Sequence, residues 1–275
     1  MMEQRRLKNL QGILSRLEKD GKTSILCFGI DPVLEKIPLE GAIEDRIEDF
    51  FYPIIDRLKK ENLIRTIKPN YAFFAQYGFE GLFALERLIE RYRNELFIIL
   101  DVKRGDIGKT SEAYAKEVFD FWQAHACTVS PYMGFDSVQP FLDKGFVYLL
   151  ARTSNKGAGD FQELELKDGK KLYEKVVEKA MEWKTGIVVG ATSDDILKIC
   201  EKTKAQLPML IPGIGAQGGD LEMVLKAIKP NPFIHRINVS SSLAYAYEKR
   251  QAKDFVQASF EEAKGINEKI KALLA

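Results

Sequence analysis

Histidine is nearly missing from this chain: His125 and His235 are the only two in 275 residues, and they are isolated from one another. This argues against a histidine-rich metal site, and each is read as structural. Cysteine is scarce as well. Cys27, Cys127 and Cys200 lie far apart, with neither disulfide nor zinc spacing, which fits a reducing cytosol. Charge of one sign is not in excess, with 41 basic residues against 40 acidic ones, and there is no long basic tract. Nucleic acid or an anionic membrane as the main partner is thus unsupported. No apolar run approaches the roughly 20 residues of a membrane span, and no linker-like or low-complexity segment interrupts the chain. The N-terminal MMEQRRLKNLQGILSRLEKDGK lacks a cleavage-like site and carries Glu3, Glu18 and Asp20, unlike a targeting peptide. Leu7, Leu10, Leu14 and Leu17 fall at helical spacing within it, predicting a covering helix. What remains is a cytoplasmic chain with 45% apolar residues, enough for a full core, expected as one domain over residues 1–275.

Present instead is a repeated alternation. Apolar, β-rich runs occur at 24–31, 64–70, 96–103, 127–132, 146–154, 186–192, 209–215 and 236–241, and amphipathic stretches such as IEDFFYPIIDRLKKE lie between them. Strands apolar on both faces and separated by helices imply a parallel sheet covered by helices. Eight such units in about 250 residues match a (β/α)8 TIM barrel. An open doubly wound sheet is the alternative, since it differs by only a strand or two.

A barrel places its site at the C-terminal ends of its strands, and polar residues collect there. Asp31 follows the first run. Lys68 and Asn70 close the second, and Asp101, Lys103 and Asp106 the third. Arg152, Thr153, Ser154 and Asn155 end the fifth, and NVSSS ends the eighth. Alternation along the third strand puts Asp101 and Lys103 on the same face as Phe97 and Ile99. If that face is the interior, acid and ammonium meet in a low-dielectric mouth and require pairing. A purely structural salt bridge is one reading. The other is a lysine held as a cation where a substrate develops negative charge, because a flanking carboxylate favours the protonated form. Such a lysine can stabilise a carbanion and return a proton, and it is a poor Schiff-base nucleophile, which needs a neutral amine.

The seventh run ends in PGIGAQGGD, which formally satisfies G-x-G-x-x-G. A dinucleotide fingerprint wants an acid about 20 residues on, where this chain has Asn238. The loops after strands seven and eight of such barrels commonly bind phosphate, and glycine-rich backbone suits an anion. A phosphorylated small molecule fits better than a dinucleotide, with Gln217 as an added donor; a plain tight turn is the remaining reading.

DVKRGDIGKT resembles the D-x-K-x-x-D-I signature of the orotidine 5′-phosphate decarboxylase family. FGIDP, IKPNYAFFAQYGFEGL, LLARTSNKGAGDFQ, VVGATSDD and IPGIGAQGGD are similar, in order, to its longer bacterial form, over residues 24–245. The resemblance implies decarboxylation of orotidine 5′-phosphate to uridine 5′-phosphate without metal or cofactor. It implies a charged network of Lys68, Asp101, Lys103 and Asp106, with Lys103 as proton donor. It also implies ribose-side contacts from Asp31, Lys68 and Asn70, a pyrimidine contact from Ser154, and a phosphate-side Gln217, with Pro212 and Ser241 among the substrate-binding positions. Asp106, Ile107 and Thr110 would reach a neighbouring subunit's site, so a homodimer is expected. Related barrels acting on sugar phosphates with magnesium share part of the motif. The chain departs from the family at INVSSSLAY, where Ser241 stands in place of a phosphate-gripping arginine. Substitution by Arg236, Lys249 or Arg250, an altered variant, a weakened paralogue, or a pseudoenzyme that binds uridylate without turnover are the competing accounts.

Overall fold

The computed structural model describes residues 2–215 and 218–275. Each of the eight apolar runs forms a strand: β1 Leu26–Ile30, β2 Thr66–Pro69, β3 Phe97–Arg104, β4 Ala126–Val129, β5 Phe146–Arg152, β6 Gly186–Val189, β7 Met209–Pro212 and β8 Arg236–Val239. They pair in sequence order, all parallel, and β8 pairs with β1 through Cys27↔Asn238. That last ladder closes the barrel and rules out the open sheet. A helix follows every strand, from Ile43–Lys60 after β1 to Phe255–Leu274 after β8. Their apolar faces bury the outward residues of the strands, such as Phe28, Ile98 and Val147, in one continuous shell.

The inward residues form a second core. Cys27, Phe97, Ile99, Ala126, Phe146, Tyr148, Val188 and Leu210 fill the barrel, joined by Leu17 of the N-terminal helix α1 (Met2–Thr23), with Leu10, Ile13 and Leu14 packed against them. The leucine spacing therefore does place a covering helix, and it closes the N-terminal mouth. Beneath it lies Arg236, wholly buried, donating from Nε to Thr66 Oγ1 (2.7 Å), from its NH1 nitrogen to the carbonyls of Phe233 and His235, and from its NH2 nitrogen to the Leu17 carbonyl (2.8 Å). Arg236 opens β8, so it sits at the end of the barrel opposite the polar mouth. It cannot replace a phosphate-binding arginine there, contrary to one of the sequence-based accounts.

Both histidines are structural. His125 Nδ1 accepts from the Ile98 amide (3.0 Å), and His235 Nδ1 accepts from that of Met209 (3.2 Å). Burial, with the nearby Arg236 charge, lowers His235 to about 3; burial and Arg16 lower His125 to about 4. Both fall below the unfolded value of roughly 6.5, so the folded state binds fewer protons. The resulting stability is complete above that value and is lost as pH falls towards the folded values. The melting temperature should drop between about pH 7 and about pH 5, and His235→Asn, which keeps an acceptor for Met209, should shallow that slope. Equal slopes in the two proteins would remove His235 from the explanation. Among the described residues no helix is long and apolar enough to cross a membrane.

Candidate active site

The C-terminal ends of the strands surround a cavity of about 420 Å³. Its floor is an ion cluster. Asp101 is 8% exposed and accepts from Lys68 Nζ (2.9 Å) on one oxygen, and from Lys103 Nζ (2.7 Å) and Thr128 Oγ1 (2.8 Å) on the other. Burial alone pushes the Asp101 carboxyl up, but the two ammonium groups outweigh it and hold it well below the usual carboxylate range. Burial likewise opposes charge on Lys68, yet the carboxylates of Asp101 and Asp31 keep it above its ordinary value. Asp101 and Lys68 therefore face each other as an ion pair at neutral pH. Lys68 and Asp101 are locked in the wall, whereas the Lys103 side chain is about half exposed, at 51%, and faces the cavity.

Lys103 reaches this position through a local distortion. The β3–β4 ladder shifts register between Leu100 and Arg104, and Lys103 has φ +46°, in the left-handed region that non-glycine residues avoid. Its amide donates to Thr128 Oγ1 (2.9 Å), so one hydroxyl fixes both the distorted backbone and the Asp101 carboxylate. Such a conformation costs energy and persists only where the surrounding structure holds it.

Of the positions singled out from sequence, Asp31, Lys68, Asn70, Asp101, Lys103, Ser154, Pro212 and Ser241 all line the cavity. Asp106, Ile107 and Thr110 do not. The Asp106 carboxylate accepts from the Ile107 amide (2.8 Å), its carbonyl accepts from Ser137 Oγ, and Ile107 is 58% exposed. The expected Lys68, Asp101, Lys103 and Asp106 network is therefore a three-residue cluster within one chain. The chain turns out of the barrel after Arg104, carrying Asp106 away from the mouth. Gln217 lies outside the described residues. Arg152 is also held away from the cavity, paired to Asp195 (2.9 Å) and Glu163, while its neighbours Thr153 and Asn155 line it.

Asn238, Ser240 and Ser242, read only as part of the polar NVSSS end of the eighth run and given no role, also line the cavity; sequence reading missed Thr128, which lines it too. Thr128 lay within reach, since alternation from the interior Ala126 points it inward. Two acceptors in the pocket, Asp31 Oδ1 and Asn238 Oδ1, are buried without a partner. Buried polar atoms are nearly always paired, and these two acceptors are open to donors within the cavity. Among the described residues no group of three or more His, Cys, Asp or Glu side chains is placed to hold a metal.

Fold and site together define a (β/α)8 barrel with a Lys68–Asp101–Lys103 ion cluster at the C-terminal mouth of its strands. The chain matches the model of the orotidine 5′-phosphate decarboxylase / HUMPS family over residues 24–253, and it belongs to that family. A curated relative, the orotidine 5′-phosphate decarboxylase of Herpetosiphon aurantiacus, is 41% identical over 232 residues, covering 81% of this chain and 85% of the relative. The solved OMP decarboxylase of Leishmania donovani is 35% identical with a TM-score of 0.77, covering 97% of this chain and 98% of that one. UMP synthase from the same organism is 36% identical, with a TM-score of 0.80 over 94% of this chain, which spans 55% of its length.

Proposed function

We propose that this chain, as one barrel domain, decarboxylates orotidine 5′-phosphate to uridine 5′-phosphate in pyrimidine biosynthesis, without metal or cofactor. The observation that carries the reading is the Lys68–Asp101–Lys103 cluster at the mouth of a barrel of this family. The bond from C6 to the carboxylate carbon breaks, carbon dioxide leaves, and the electron pair stays on C6. The ring conjugates that pair poorly. The Lys103 ammonium, already oriented by Asp101, stabilises the charge as it develops without reorganisation, then transfers a proton to C6. Asp101 holds the lysine in place. In this reading ribose hydroxyls bind at Asp31 and Asn70, donating to the orphaned Asp31 oxygen, and Ser154 meets the pyrimidine; that all three line the cavity supports it. Occupation of both Asp101 oxygens by lysine and threonine supports a charge-network role over that of a metal ligand.

The test is the ultraviolet spectrum of orotidylate mixed with purified protein in chelator. Decay to the uridylate spectrum is expected. No decay at high enzyme concentration sinks the assignment, and orotidylate decay that vanishes only with chelator overturns its metal independence.

The active form is proposed as a homodimer in which Asp106, Ile107 and Thr110 complete the neighbouring site. Support comes from their position outside their own cavity and from the exposed apolar side chains near them: Ile107, Tyr132 (82% exposed) and Met133. Ile107→Asp should convert a dimer to a monomer in sedimentation and cut activity at low protein concentration. A wild-type monomer with full activity would overturn the arrangement.

A further inference from the structure

The cavity is electrically lopsided. All four of its ionisable side chains, Asp31, Lys68, Asp101 and Lys103, come from the β1–β3 side. Opposite them, the ends of β5, β7 and β8 contribute Thr153, Ser154, Asn155, Gly213, Ile214, Asn238 and the run Ser240–Ser242: hydroxyls, amides and glycine, with no lysine or arginine among the described residues. The three cations weighed from the sequence as substitutes are committed elsewhere or absent from the cavity, and Arg152 is held by Asp195 and Glu163. Arg236 is at the far end of the barrel, Arg250 pairs with Glu261 and Glu262 (both 3.0 Å), and Lys249 is exposed outside it.

The neutral side is nonetheless built. A Cβ on Gly29 would lie 1.9 Å from Ser240 Oγ, and one on Gly215 (φ +89°) would lie 2.5 Å from Ser242 Oγ. Both glycines therefore leave the space that two serine hydroxyls occupy. Asn238, 5% exposed, donates to Ser240 Oγ (3.3 Å) and keeps its other amide atom buried and unpartnered. With Ser240 and Ser242 seated against glycine, Ser241 is left exposed at the cavity rim.

We propose that the substrate's phosphate is bound on this β7–β8 side by neutral hydrogen-bond donors alone, with Ser241 as a direct contact that sets selectivity for the phosphorylated ligand. The inference rests on the function proposed above. The loops after strands seven and eight are the usual phosphate side of such barrels, and this orientation directs the pyrimidine carboxylate towards Lys103.

The test is calorimetric titration with uridylate and with uridine, the ratio of their affinities isolating the phosphate. Ser241→Ala should lower that ratio about two- to tenfold, as for one neutral hydrogen bond. Ser241→Arg should raise it about ten- to a hundredfold, as for a charge-assisted one, and should give the ratio a steep dependence on salt that the wild type lacks. A wild-type ratio already steeply salt-dependent, or a ratio unmoved by both substitutions, overturns the proposal. Wild-type protein that binds neither ligand overturns the functional reading on which it rests, and with it the proposal; uridylate bound with selectivity unchanged in both variants overturns the proposal and leaves that reading standing.

Discussion

Lys103→Ala should lower kcat for orotidylate decarboxylation by about 10⁴-fold or more while the protein stays folded. Two separate contributions disappear with the side chain. Loss of a positioned proton donor is worth typically 10²–10⁴-fold, and loss of preorganised charge stabilisation about 10²–10³-fold. The fold should tolerate the change because the Lys103 side chain is about half exposed and only its amine end is tied, to Asp101. Removing a lysine from a left-handed backbone position replaces one non-glycine residue by another, so the bulge keeps its Thr128 anchor. The measurement is single-turnover decay of orotidylate absorbance beside a melting curve. A variant that melts like the wild type and retains more than about a tenth of its rate would falsify the assigned role of Lys103.

Asp101→Asn acts on both stability and rate. The carboxylate neutralises two ammonium groups, one of them on the 4%-exposed Lys68. Removing one member of a buried ion cluster typically costs about 3–5 kcal/mol, because the remaining charge has no partner. The sign of the pH effect follows from the depressed Asp101 pKa. Its stabilisation is present above the unfolded value of about 3.9 and is lost as pH falls below it towards the folded value. The wild type should therefore lose stability in that acid range more steeply than Asp101→Asn does, which urea midpoints at neutral and acid pH would show. The rate should fall as well, since Lys103 loses the oxygen that orients it. In the double variant with Lys103→Ala the rate losses should not add, because both residues act through one ammonium. Additive losses would mean that Asp101 acts independently of the lysine.

Much of this molecule was legible along the chain because its patterns are local. Eight apolar runs became eight strands, and the leucines of α1 fall at the spacing that caps the barrel. Lys68, Asp101 and Lys103 were visible because polar residues closing buried strands conflict with burial and call for a partner. Other features were local in principle but unread. Thr128 follows from alternation along β4. Arg236 opens its strand, and in a parallel barrel the first residue of a strand lies at the end opposite the last. Both could have been placed by strand position alone.

Three matters were beyond any local pattern. Closure of β8 on β1 depends on strand tilt and register summed around the barrel, which no single segment encodes. The bulge that turns Lys103 onto Asp101 depends on a hydroxyl from the next strand. The separation of Asp106 from that pair depends on the path of the loop after β3. By itself, then, the sequence determined the barrel's repeat, its covering helix and the residue types at its mouth, since periodicity and burial act over a few residues. Only the tertiary structure decided which charges meet, which side of the cavity is neutral and which cation is out of reach, because those are distances across the barrel between strands far apart in the chain.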